Sequence, residues 1–331
     1  MAAVIREFGK RLVEAQADRA GTLLELAARQ QERGKHVAAV SVALEAVEAF
    51  SSEPGRRSDA LCAVARSLLA AEAWDLSGTV MARAIQDSVT AEDPVREAHA
   101  REIQGLLLFR RNQFQAARTE YRIAGLRFRM AQDTLAMKRV ARNIGHTYKQ
   151  QGAAACASGR FPHADVNFRQ ALRVYRIALA TGEYAGDDAA IAAAAADCES
   201  RRGNYGLARI QVDRALALLP RVEDLAIVAQ VHLAECRLLR TTGDLRAAEW
   251  AGERACVAAR NLPDDTLPHA LQALSTVHDA QGRFERATDV ECRARELLLE
   301  RQRRLTDLRE ELSALWRRDT TSPPAFACTA A

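Results

Sequence analysis

Seven times along the chain a bulky residue follows a short polar or glycine-containing turn, and a small residue stands three positions later. The pairs are His36 with Ala39, Trp74 with Ser77, Phe114 with Ala117, Phe161 with Ala164, Tyr205 with Ala208, Leu245 with Ala248 and Phe284 with Ala287. Successive bulky residues are 38, 40, 47, 44, 40 and 39 apart. Seven positions beyond each small residue stands an alanine: Ala46, Ala84, Ala124, Ala171, Ala215, Ala255 and Ala294. Twelve positions before it stands another small residue: Ala27, Ala65, Gly105, Gly152, Ala196, Cys236 and Ser275. One match means little in an alanine-rich chain. Three small positions that hold through seven units describe a single supersecondary unit stacked on itself.

The spacing says what that unit is. Seven residues make two helical turns, so the two later small residues share one stripe of a helix. The third lies on the preceding helix. Small side chains at a helix–helix contact let two antiparallel helices approach near the short end of the usual spacing of about 8–10 Å. The bulky residue at the turn is expected to plug the open end of the pair.

Composition agrees with stacked helices. Hydrophobic residues make up 48% of the chain but aromatics only 5%, an Ala- and Leu-rich interior that suits close helix packing. The prolines fall mostly between the expected helices, at Pro54, Pro94, Pro220, Pro263 and Pro268, and no β-alternating segment competes. With 47 basic and 43 acidic residues the net charge is +4, a mixed surface and not a nucleic-acid footprint. Arginine supplies nearly all the positive charge. A GC-rich genome explains that usage, as does recognition of carboxylates or phosphates by guanidinium forks. The seven cysteines are odd in number and widely spaced, without a C-x-x-C pair, which reads as thiols packed in a reducing compartment. No apolar signal region opens the chain and no stretch reaches the roughly 18 apolar residues of a membrane span, so the expected location is cytoplasmic, with no membrane partner.

The repeat resembles the tetratricopeptide repeat. Asn143-Ile144-Gly145, Tyr148 and Gly152 match the first-helix part of that motif, and Gly203-Asn204-Tyr205, Ala208, Ala215 and Pro220 match the second. The resemblance covers Asp18 to Arg295 and departs in period, about 40 residues where the motif has 34. A HEAT-type solenoid also suits 40 but leaves the Gly-x-Tyr and Ala spacing unexplained. The resemblance implies an all-α fold, a right-handed α-solenoid of seven helical hairpins, whose first helices line a concave groove that receives a peptide or protein segment.

Along the chain, residues 1–17 read as an amphipathic capping helix, 18–295 as the seven-repeat solenoid, 296–317 as an amphipathic extension and 318–331 as a disordered tail. The fourth repeat holds seven extra residues, Ala153 to Gly159, before its turn. Two whole turns keep a helix in phase, so the expectation is a longer first helix or one broken at Gly152, with a mobile loop as the alternative. In the extension, Leu298, Leu305 and Leu312 are seven apart, as are Leu308 and Leu315. This short heptad pattern reads either as a cap on the last repeat or as a homodimer or partner-helix seam. The stretch is also similar to the helical linker after tetratricopeptide sensor segments in some bacterial diguanylate cyclases, with the catalytic domain absent.

Motifs for hydrolytic, phosphate-binding or metal chemistry are missing from the sequence. His232 and Cys236 share a helical face, but without a second pair nearby they read as packed residues and not as zinc ligands. No catalytic residue, metal or cofactor is expected, and the protein is read as a non-enzymatic binding protein. In the groove implied by the resemblance, Arg139, Arg142, His146 and Lys149 form one polar stripe at i, i+3, i+4 spacing, bordered by Asn143. Arg66, Arg201, Arg237 and Arg240 face the groove from other repeats, with Glu102 and Asp197 among them. The stripe either takes an acidic segment, a C-terminal carboxylate or a phosphorylated ligand, or pairs with acids on adjoining repeats. The expected role is an adaptor or regulator; the alternative is a signalling sensor that dimerises through its last helix.

Overall fold

The computed structural model describes residues 19–262 and 265–320, so the expected capping helix at 1–17 lies outside the described residues, as does the expected tail at 318–331 except for 318–320, which continue the last helix. The described residues hold fourteen α-helices and no strand. Helix α1 covers residues 19–32. It is followed by α2 (His36–Ala49), α3 (Pro54–Ala70), α4 (Trp74–Thr90), α5 (Pro94–Arg110), α6 (Phe114–Met130) and α7 (Thr134–Ala157). The series continues with α8 (Phe161–Leu179), α9 (Ala185–Arg201), α10 (Tyr205–Leu218), α11 (Leu225–Thr242), α12 (Leu245–Ala259), α13 (Thr266–Ala280) and α14 (Phe284–Thr320). Odd and even helices pair into seven consecutive hairpins.

All twenty-one small positions of the repeat are buried, from Ala27 at 2% exposure to Ala294 at 0%. The seven bulky residues meet the expectation unevenly: His36, Trp74, Phe114 and Leu245 are half-buried, with Trp74 packed against the core of the first hairpins. Each is the first residue of its second helix, but Phe161, Tyr205 and Phe284 are 66%, 41% and 65% exposed. Those three mark where the second helix starts and do not plug the pair. What sets the reversal is the backbone. Each turn between first and second helix holds one left-handed residue: Gly34, Glu72, Asn112, Gly159, Gly203, Gly243 and Gly282. Such a residue ends a helix by turning its last carbonyls onto the following amides. After α3, for example, the Ala73 N–H donates to the Leu68 carbonyl at 2.9 Å. Asp93, Asp133, Asp224 and Asp244 cap helix starts with their carboxylates, and Pro54 and Pro94 open α3 and α5, where a missing N–H costs nothing.

Contacts divide the chain into two compact units. The first comprises the described part of Met1–Ala131 with the chain from Arg304 onward. Its core joins α1 to α5 through Ala27, Leu44, Leu61, Leu68, Met81 and Leu107. Leu312 of α14 is 1% exposed inside that core, and Leu308, Leu315 and Trp316 pack against it. Leu308 and Leu315 also line a cleft of about 510 Å³ with Gly34, His36 and Val37 of the first hairpin. Three of the five leucines read as a seam are therefore spent within the chain. The end of α14 thus covers an apolar flank of the first unit. Leu298 and Leu305 are half-buried.

The second unit, Gln132–Arg303, holds α7 to α13 and the first part of α14. Its fourth hairpin contains the long first helix. α7 is 24 residues and unbroken, where α3, α5 and α9 are 17. Both of its glycines receive rings from α8. A Cβ on Gly145 would lie 2.3 Å from Tyr175, and one on Gly152 would lie 2.7 Å from Phe168. Tyr175 and Phe168 are seven apart, like the two glycines, so the added turns repeat one packing arrangement along antiparallel helices.

Candidate binding face on the first helices

Within the second unit, neighbouring hairpins meet through their first helices: α7 touches α9, α9 touches α11 and α11 touches α13. The inward sides of these helices bear alanines and thiols. Ile191, Ala194, Ala195 and Cys198 of α9 join Tyr175 and Phe168 in one core cluster. Burial pushes the Cys198 thiol up to about 12 and the Cys236 thiol to about 11, as packed side chains require. Their remaining side forms a polar face.

Most of the predicted residues come together there. Arg142 binds Asp187 of α9, and Lys149 lies 3.6 Å from Asp197, which also accepts from Arg201 at 3.2 Å. Burial raises the Asp197 carboxyl, but Lys149, Arg201 and Arg237 outweigh it and hold the group below its ordinary value. One carboxylate thus answers three cations. Arg237 is half-buried, while Arg201 and Arg240 are exposed. Arg139 and Asn143 sit half-buried on the same α7 stripe. His146 contacts the Tyr175 hydroxyl at 3.3 Å and meets its ring edge-on. Desolvation, with Lys149 and Arg142 close by, keeps His146 neutral well below its usual value. Desolvation likewise lifts Tyr175 well above 10, with Cys198 and Asp197 adding to it.

Two predicted residues are not brought into this set. Arg66, exposed on α3, and Glu102, on α5, belong to the other unit. On α7 the stripe pairs with acids of the adjoining hairpin, and the exposed arginines stand on α9 and α11. Arg142 and Lys149 are bound to acids of the next hairpin, whereas the guanidiniums of Arg201 and Arg240 reach solvent. Sequence reasoning missed Lys138, which is completely buried. Its ammonium donates to the Gly182 carbonyl at 2.6 Å, lies 2.5 Å from Asp188 and sits over the Tyr184 ring. Lys138 precedes Arg142 by one turn, and nothing in the sequence distinguishes the buried cation from the accessible ones.

His232 pairs with Glu235 at 3.1 Å and not with Cys236, and among the described residues no cluster of three His, Cys, Asp or Glu is placed to hold a metal. No helix among them is long and apolar enough to cross a membrane.

No protein-family model matches the chain, and no curated protein matches it. Its fold is similar to that of solved structures. One is the Rap conjugation gene regulator of the plasmid pLS20 in complex with a Phr peptide, with a TM-score of 0.62, 13% identity, and 88% of this chain and 75% of that one covered. Another is aspartyl phosphate phosphatase F from Bacillus subtilis, at 0.63 and 11%, covering 88% and 73%. A third is a signal-transduction ATPase with a tetratricopeptide repeat sensor from Pyrococcus horikoshii, at 0.59 and 12%, covering 94% and 47%. At these identities the likeness is one of fold: the chain has a tetratricopeptide-like, all-α helical-hairpin repeat.

Proposed function

We propose that the chain is a non-catalytic, cytoplasmic binding protein that receives an acidic peptide segment on the first-helix face of its second unit, as an adaptor or regulator. The observation that carries this reading is the imbalance around Asp197, where Lys149, Arg201 and Arg237 share one carboxylate and Arg201 stays open to solvent. An incoming carboxylate completes that set with charge-assisted hydrogen bonds, the strong kind. The likeness in fold to a peptide-bound Rap regulator supports the ligand class.

The test uses arrays of acidic hexapeptides beside their amidated counterparts, probed with the full chain. Acidic spots should be retained and amidated ones lost, with binding falling as salt rises. Arg201→Glu with Arg240→Glu should weaken retention by about tenfold or more, the loss of one or two charge-assisted contacts. Retention that ignores peptide charge, or survives the double substitution, defeats the reading.

A further inference from the structure

The second helices of hairpins four to six carry a surface feature that the first-helix face does not use. Val166, Ile210 and Trp250 are each the sixth residue of their helix, and they are 57%, 60% and 56% exposed. The same register position is Ser41 in α2, Thr79 in α4, Thr119 in α6 and Asp289 in α14. The other four hairpins place a polar residue there, and three successive hairpins of one compact unit place a large apolar side chain. Single exposed apolar residues need no explanation, but a row of them in register marks an interaction surface.

Charge says what kind of partner fits. Exposed positions of α8, α10 and α12 hold seven arginines against two acids, Asp213 and Glu253. Arg173, Arg214 and Arg246 flank the row from those exposed positions, and Arg254 stacks over the Trp250 ring at 4.4 Å. A second copy of the same surface is repelled by like charge. A lipid surface tolerates arginine beside apolar groups but asks for no fixed register, whereas Val166, Ile210 and Trp250 hold the same position on three successive second helices. An amphipathic helix uses both features, laying its apolar stripe along the row and its bordering Asp and Glu against the arginines. We propose that Val166, Ile210 and Trp250, with their flanking arginines, form a docking surface for an acidic amphipathic helix of a partner protein, distinct from the first-helix face.

The probe is a fluorescein-labelled synthetic helix of three heptads with Leu at the inward positions and Glu at most others. Its controls are a scrambled peptide of the same composition and a version with Lys in place of Glu. Binding to the full chain is read by anisotropy. The acidic helix should bind at least about tenfold more tightly than either control, and Ile210→Asp with Trp250→Glu should cost about tenfold or more. Both positions are exposed, so the thermal unfolding of that variant should match the parent. Arg201→Glu with Arg240→Glu should leave this binding unchanged, which separates it from the peptide face. Equal binding of the scrambled peptide overturns the proposal, as does binding that survives Ile210→Asp with Trp250→Glu. Co-flotation of the parent, but not of that variant, with phosphatidylserine vesicles also overturns it by assigning the surface to a membrane.

Discussion

A glycine inside a helix ordinarily weakens it by about 1 kcal/mol relative to alanine, yet Gly105, Gly145 and Gly152 each lie buried opposite an aromatic ring of the partner helix. The ring of Tyr121, Tyr175 or Phe168 fills the volume a methyl would take. Where the cluster partner on the second helix is smaller, as Met81 in the cluster of Ala65 or Val212 in that of Ala196, the small position is alanine. The rule is therefore complementary volume across the pair. It predicts a reversal of sign. Gly145→Ala should lose about 1–3 kcal/mol through overpacking, because its Cβ would meet Tyr175 at 2.3 Å. Gly78→Ala in α4, whose nearest neighbour would be at an ordinary 3.7 Å, should gain up to about 1 kcal/mol. Urea midpoints of the two variants decide it; a Gly145→Ala protein as stable as the parent would contradict the packing described.

At the scale of elements, the end of α14 is a cover for the first hairpin. Leu312→Ala should cost about 2–5 kcal/mol and leave the mass in solution unchanged. A drop in mass at constant stability would return these leucines to a seam between chains. α7 is fixed by a second device, the Lys138–Asp188 pair. Removing one partner of a buried pair leaves the other uncompensated, so Lys138→Met should cost about 3–5 kcal/mol, and adding Asp188→Leu should recover part of it. Urea unfolding of the single and double variants tests both statements. The hairpins themselves were legible in the sequence, because burial of small residues repeats with a period that any reader can count. The unbroken α7 was legible as one of the expected outcomes, since seven residues conserve helical phase. The destination of Leu312 was not, because a heptad pattern states which side of a helix is apolar and not what it meets. For the same reason the stripe on α7 gave no hint that Lys138 is buried while Arg201 on α9 is open. Nor did hydropathy expose the row at Val166, Ile210 and Trp250, since an apolar residue in an amphipathic helix reads as core until its exposure is seen.

For the molecule as a whole, charge is nearly balanced at +4, so stability against pH is governed by particular groups. Asp93 is held below its ordinary value by the Arg96 backbone N–H, Asp165 by Arg202 and Arg169, and Glu249 by Gln281 and Arg283; Asp197 joins them. A carboxyl lowered by folding stabilises above its unfolded value, near about 4, and that contribution is lost as pH falls through the lowered one. His146 and His36 are lowered too, by desolvation. A histidine kept neutral in the fold withdraws stability as pH drops below its unfolded value of about 6.5. Urea midpoints should thus decline gently from about pH 6.5 and more steeply below about 4, each titrating group adding at most about 1.4 kcal/mol per pH unit. His146→Gln should flatten the upper limb and spare the lower. A midpoint constant down to pH 4.5 in the parent would refute the role of the histidines. The fourth hairpin carries one more implication. Since Gly145 with Tyr175 and Gly152 with Phe168 reproduce the same contact two turns apart, such hairpins can lengthen in quantised steps. Any gain of seven residues in one helix, matched by reach in its mate, leaves the flanks offered to adjacent units untouched, whereas a gain of five or six would rotate every later side chain out of its seat.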